Sequence, residues 1–321
     1  MALKQVIEVY ELLESPVIEG DEIKEFFLKR GIDESEIETQ KIKEDKGETE
    51  FVNITIRGKE GKLKGEKEGK SKVNQAPTLG IIGRLGGIGA RPHKIGLVSD
   101  ADGAITALAS AAKIAEMRKK GDKLKSDVIV ATHLCPHSPI IPHEPVPFMG
   151  APVSMETMNK YEVDKQMEAI LSIDTTKGNR IINYRGFAIS PTVKDGYILR
   201  VSEDLLDIMQ TVTGKLPVVF PITTQDITPY GNEIYHLNSI LQPSTVTSAP
   251  VVGVAITTEV PVPGCATGAN HTMDIEMAVR FVVEAAKAFG EGKCSFYDDE
   301  EFQRIISLYG SLEHLKTLGR K

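Results

Sequence analysis

Cysteine is scarce. The 321 residues hold three, Cys135, Cys265 and Cys294, with no C-x-x-C spacing among them. So sparse and odd a set excludes a disulfide framework and fits a reducing compartment. Long apolar runs are missing as well. No stretch approaches the roughly 20 consecutive residues that a membrane span needs, so no membrane partner is expected. Residues 1–16 carry Glu8, Glu11 and Glu14 where a signal peptide requires an unbroken apolar centre, and the expected location is the cytoplasm. Positive charge is in deficit, with 38 Lys and Arg against 45 Asp and Glu and a net charge of −7. A nucleic-acid partner therefore has no broad electrostatic support. The locally basic run 62–72 is interrupted by Glu66 and Glu68 and reads as a solvated hairpin.

What is present is ordinary for a globular chain. Hydrophobic residues make up 41% and charged residues 26%, which rules out collagen-like, coiled-coil and wholly disordered readings. The length suits a large α/β domain with an insertion. Residues 1–321 are read as one domain, with a charged strand-and-turn excursion at about 35–75.

Helical apolar spacing covers 2–14 and again 21–31, between a Ser15-Pro16 break and Gly31. Within 32–74 the single clear strand is 51–56. From Ala76 the pattern changes to short apolar runs of the kind that form buried strands, at 78–83, 127–132, 169–173, 186–189, 217–220 and 251–256. Helical segments at 103–118, 202–213, 232–241 and 273–289 separate them, and a Gly-rich loop follows the first run. Alternating strands and helices predict a three-layer α/β sandwich around a mostly parallel central sheet.

In such sheets ligands gather at the carboxyl ends of the strands. Ser99-Asp100-Ala101-Asp102-Gly103 stands just before the Ala-rich helix. His133, Cys135 and His137 follow the strand ending at Thr132, Asp174 follows the one ending at Ile173, and Asn270-His271-Thr272 precedes the last long helix. Carboxylates and imidazoles at four such ends point to one divalent metal site, with Asp100, Asp174, His271 and His133 as ligands. Each residue also has a plainer reading. Asp100 suits a helix N-cap, Asp174 a turn before Thr175 and Thr176, and His271 a loop hydrogen bond, while His133, His137 and His143 lie in a proline-rich loop. Cys135 beside His133 or His137 is a candidate nucleophile pair. Arg84 and Arg91, with Lys94, flank the Gly-rich loop and are candidates for holding an anionic group of a substrate, or are simply surface charges.

The order of these segments resembles the zinc-dependent exopeptidase superfamily of aminopeptidases, carboxypeptidases and deacylases. Ser15-Pro16 through Gly20-Asp21-Glu22 is similar to its opening "SPSGxE" helix pair, and Ser99 to Ala104 to its "DxKGG" segment, which implies Asp100 as a metal-bridging carboxylate. Ser172-Ile173-Asp174 resembles the strand end that donates a metal Asp. Gln225 to Tyr235 sits where the family has its "GGTDA" turn, and Val254 to Glu276 is similar to the closing "H-S-P-x-E" segment, which maps His271 to a metal His. The expected fold is therefore zinc-exopeptidase-like, and zinc is the expected ion. The departures are specific. Arg84-Leu85-Gly86 replaces the family's first His-x-Asp, with His93 nearby, and His133-Leu134-Cys135-Pro136 replaces its Glu-Glu pair, with Glu144 further along. The chain also resembles an uncharacterised bacterial and archaeal branch, a domain of unknown function grouped with these folds.

Three functional readings follow. The first is a metal-dependent hydrolase with a remodelled, imidazole-rich site acting on a peptide, amide or amino-acid derivative. Losing the carboxylate that accepts the proton removes a factor of roughly 10² to 10⁴ in rate, so an unaltered aminopeptidase is not expected. The second is a ligand-binding or regulatory protein that keeps the fold without hydrolysis. The third is a scaffold subunit, in line with relatives that form homo-oligomers.

Overall fold

The computed structural model describes residues 1–15, 17–63, 75–84, 97–136, 138, 140–142, 148–222, 239–261 and 270–317. The helices are α1 (Leu3–Leu13), α2 (Gly20–Leu28), α3 (Asp102–Lys119), α4 (Met155–Glu162), α5 (Glu203–Thr213), α6 (Thr272–Gly290) and α7 (Asp299–Tyr309). The strands are β1 (Ile37–Glu44), β2 (Gly47–Ile56), β3 (Leu79–Gly83), β4 (Val128–Leu134), β5 (Ile140–Ile141), β6 (Phe148–Met149), β7 (Ala169–Thr175), β8 (Gly186–Ile189), β9 (Val193–Lys194), β10 (Tyr197–Ile198) and β11 (Val251–Thr257).

The four apolar runs β4, β3, β7 and β11 lie side by side and parallel, and they form the centre of the main sheet. Every residue of β3, β4 and β11 is buried, because the sheet is covered on both faces. Side chains alternate between those faces as a pleat requires. Leu79 and Ile81, Val128 and Val130, Leu171 and Ile173, and Val252 and Val254 point to one face; Ile82, Ile129, Ala131, Ile170 and Ala255 point to the other. The first face is covered by α3 and α6, with α1 packed against both. Alanines at 104, 107, 111 and 112 let α3 lie close between the sheet and its helical neighbours, and all four are buried. Phe220, Ile222, Ile240 and Leu241 cover the second face, the last two from a 3₁₀ stretch, Ser239–Thr245. Each fully buried aliphatic side chain in these layers contributes about 1.5–3 kcal/mol relative to exposure.

The edges are antiparallel. β2 pairs with β4, and β1 closes a hairpin on β2 from Ile37↔Ile54 to Glu44↔Gly47. On the far side β8 and β9 run antiparallel to β11, and β10 ends the sheet. The charged excursion expected at about 35–75 thus begins as a two-stranded extension of the sheet in which β1 accompanies the expected strand. The expected strand at 217–220 is reduced to one bridge, Ile189 to Val219, since Pro217 and Pro221 remove the donors a ladder needs. Of the helix expected at 232–241, residues 232–238 lie outside the described residues, and 239–241 open the 3₁₀ stretch, which contains Pro243. Among the described residues, no helix is long and apolar enough to cross a membrane.

Candidate functional site

The carboxyl ends of β3 and β7 are pressed against the first turn of α3. A Cβ on Gly103 would lie 2.7 Å from the carbonyl oxygens of both Arg84 and Ile173, and one on Gly83 would lie 2.6 Å from the Gly103 carbonyl oxygen. Only glycine permits this approach, and it sets the start of α3 directly over the strand ends.

Asp102, the first residue of α3, is fully buried. Lys177 Nζ donates to its Oδ2 at 2.9 Å, and Asn270 Nδ2 donates to its Oδ1 at 2.5 Å and to the Val98 carbonyl at 2.9 Å. Burial pushes the Asp102 carboxyl above the usual range, against the pull of Lys177 and Asn270. This triad ties the starts of α3 and α6 to the segment after β7. Around it, the Ser99 hydroxyl, Asn270 Oδ1 and His271 Nδ1 are buried without a hydrogen-bond partner among the described residues.

The expected metal ligands can be placed individually. Asp100 lies in a 3₁₀ turn, Ser99–Ala101, that runs into α3. Asp174 is buried near the end of β7, where its Oδ1 accepts from the Thr175 N–H at 2.7 Å. His271 is the N-cap residue of α6, without a capping side-chain bond. His133 is buried near the end of β4, facing α4. Among the described residues, no three His, Cys, Asp or Glu side chains are grouped so as to hold a metal ion. The described side chains therefore do not fit the two-ion centre that the resemblance implies. His137, Arg91, His93, Lys94, His143, Glu144 and Gln225 to Tyr235 lie outside the described residues.

The positions that depart from the resemblance form a second, closed network. Arg84, directly after β3, is buried and donates from Nη1 to Glu162 Oε2 at 2.6 Å and to Asn159 Oδ1 at 3.3 Å. His133 Nδ1 meets the other Glu162 oxygen at 2.6 Å, which assigns the proton to Nδ1 as donor to the carboxylate. Burial alone raises the Glu162 carboxyl, but Arg84 and His133 outweigh it and hold it below the usual range. The Arg84 guanidinium is thus directed into the interior. Cys135 is buried, its sulfur accepts from the Ser138 hydroxyl, and burial pushes its thiol to about 11. At neutral pH it is a thiol, not the thiolate that a nucleophile requires.

Glu162, Asn159 and Lys177 were not among the candidates. The first two lie on α4, an eight-residue polar helix started by a Ser154 cap that accepts from Thr157 N–H. That cap was its only sequence signal. Asp102 and Asn270 are sequence neighbours of the expected ligands Asp100 and His271.

The family described as "Protein of unknown function (DUF1177)" matches residues 40–319. The chain belongs to this family. No functionally curated protein matches this DUF1177 member. Among solved structures, it is similar to the bottromycin maturation enzyme BotP in complex with Mn, at 10% identity over 89% of this chain and 71% of that one, with a TM-score of 0.50. It is also similar to a glutaminyl cyclase from an Acidobacteriales bacterium (12% identity, 91% and 94% coverage, TM-score 0.47) and to a cytosol aminopeptidase from Coxiella burnetii (14%, 89% and 68%, TM-score 0.48). At these identities the likeness is one of fold.

Proposed function

We propose that this DUF1177 protein binds a peptide, amide or amino-acid derivative at the carboxyl end of its sheet. The observation that carries this reading is the set of partnerless buried atoms around Asp102: the Ser99 hydroxyl, Asn270 Oδ1 and His271 Nδ1. Buried polar atoms are costly unless hydrogen-bonded. An amide supplies both an N–H donor and a carbonyl acceptor, which suits one carbonyl oxygen, one hydroxyl and one imidazole nitrogen. Lys177 and Asp102 neutralise each other beneath them and hold Asn270 in place. The Arg84–Glu162–His133 network favours binding over two-metal hydrolysis, because its charged groups satisfy one another in the interior.

A metal-dependent hydrolase with a remodelled site is the second reading. The same His271 nitrogen favours it, since imidazole is a common zinc ligand. Calorimetry with N-acylated amino acids and short peptides, and elemental analysis after incubation with zinc or manganese, separate the two. The expected result is saturable ligand binding that weakens about tenfold in His271→Ala or Asn270→Ala, without turnover. Binding unchanged in both variants would remove the site. One equivalent of metal that is lost in His271→Ala and Asp100→Ala, together with hydrolysis, would establish the second reading instead.

A further inference from the structure

A cavity of about 620 Å³ opens on the helical layer, between α5, α6 and the middle of α3. Its α6 wall runs from Arg280 through Glu291, 8 to 19 residues beyond Thr272. At 1.5 Å per residue this is roughly 12–28 Å from the start of that helix. The cavity is therefore separate from the site at the carboxyl end of the sheet, and its size falls within the roughly 300–1,000 Å³ of small-molecule sites.

Most of its charges are already committed. Arg280 donates to Glu276 and to the Val212 carbonyl, Lys287 pairs with Glu284 at 2.9 Å, and Lys293 pairs with Glu291 at 2.7 Å. Two are left over. Lys113 of α3 and Asp207 of α5 both line the cavity, and neither has a bonding partner among the described residues. Lys113 is half-buried in an otherwise buried stretch of α3, and Asp207 is exposed at the mouth. The lining also includes the apolar side chains of Ile208, Val212, Val283 and Ala288.

We propose that this cavity is a binding site for a free α-amino acid with an apolar side chain, its carboxylate on Lys113, its ammonium on Asp207 and its side chain against Val283 and Ala288. The charge pattern discriminates among ligands. With the other cavity charges paired, an anionic ligand would leave Asp207 unmet, a cationic one would leave Lys113 unmet, and an uncharged apolar one would desolvate two ions without satisfying either. A zwitterion meets both with charge-assisted hydrogen bonds. This inference stands independently of the proposed function.

The test is titration calorimetry with leucine, with isocaproate (no amine) and with isoamylamine (no carboxylate). It uses wild-type protein, Lys113→Met, Asp207→Asn, and Val283→Phe, which narrows the cavity at its apolar wall. Leucine is expected to bind. Each truncated analogue and each substitution is expected to weaken binding by about tenfold or more, while Lys113→Met binds isoamylamine as well as it binds leucine. His271→Ala is expected to bind leucine as wild type does. Absence of leucine binding at millimolar concentration would overturn the assignment. So would leucine binding that survives both Lys113→Met and Asp207→Asn but disappears in His271→Ala.

Discussion

Arg84→Met removes a guanidinium and leaves a linear side chain in much of the same space. Glu162 would then remain fully buried with His133 alone facing its charge. Removing one partner of a buried ion pair costs about 3–5 kcal/mol, well above the roughly 1 kcal/mol of an average hydrogen bond. The difference is the desolvation of the charge left behind. Against a typical total of about 5–15 kcal/mol, the loss should lower the melting temperature by about 4–7 °C in a chain of 321 residues. The pH dependence has a definite sign. In the fold the Glu162 carboxyl is held below its usual range, because Arg84 and His133 outweigh burial. A depressed carboxyl stabilises above the unfolded value of roughly 4.3, and that stability is lost as pH falls through the folded value. Arg84→Met removes the strongest lowering influence and leaves burial far less opposed, so protonation relieves the stranded charge and the stability gap between variant and wild type should narrow as pH falls. Urea unfolding followed by circular dichroism from pH 7 to pH 4 measures both effects. The double variant Arg84→Met/Glu162→Gln should recover a large part of the loss, since no charge is stranded. A loss below about 1 kcal/mol in Arg84→Met, or a double variant as unstable as the sum of the singles, would refute the reasoning.

Two further outcomes test the packing. Gly103→Ala places a Cβ 2.7 Å from two backbone carbonyl oxygens, and since neither can move without displacing a strand end, it should destabilise by at least about 1–3 kcal/mol in denaturant titration; unchanged stability would mean that α3 is not seated there. In a Cys265→Ser background, Cys135 and Cys294, whose thiols are pushed to about 11 and about 12, should react with a thiol reagent at pH 7–8 only as fast as the protein opens, and a burst of labelling in the native state would contradict their burial.

The legibility of the sequence followed the physics of each element. β3, β4, β7 and β11 are covered on both faces, so they are short, continuous apolar runs that stand out against a polar chain, and their ends fall within two residues of the expectation. β1 is an edge strand, exposed on alternate residues and rich in Lys and Glu; such a strand protects its open edge with charge and carries no apolar signature. The candidate site divides in the same way. Helix starts at strand ends are readable from glycine and capping residues, which is why Asp100, Asp102, Asn270 and His271 were visible as a group. Glu162 was invisible because its meaning lies in its partners. It is an acidic residue on a short polar helix, and its carboxylate becomes informative only when Arg84 and His133, 78 and 29 residues away in the chain, are found on its two oxygens. Arg84 and His133 occupy the two oxygens of a carboxylate that the fold buries completely, so the three residues act together as internal structure.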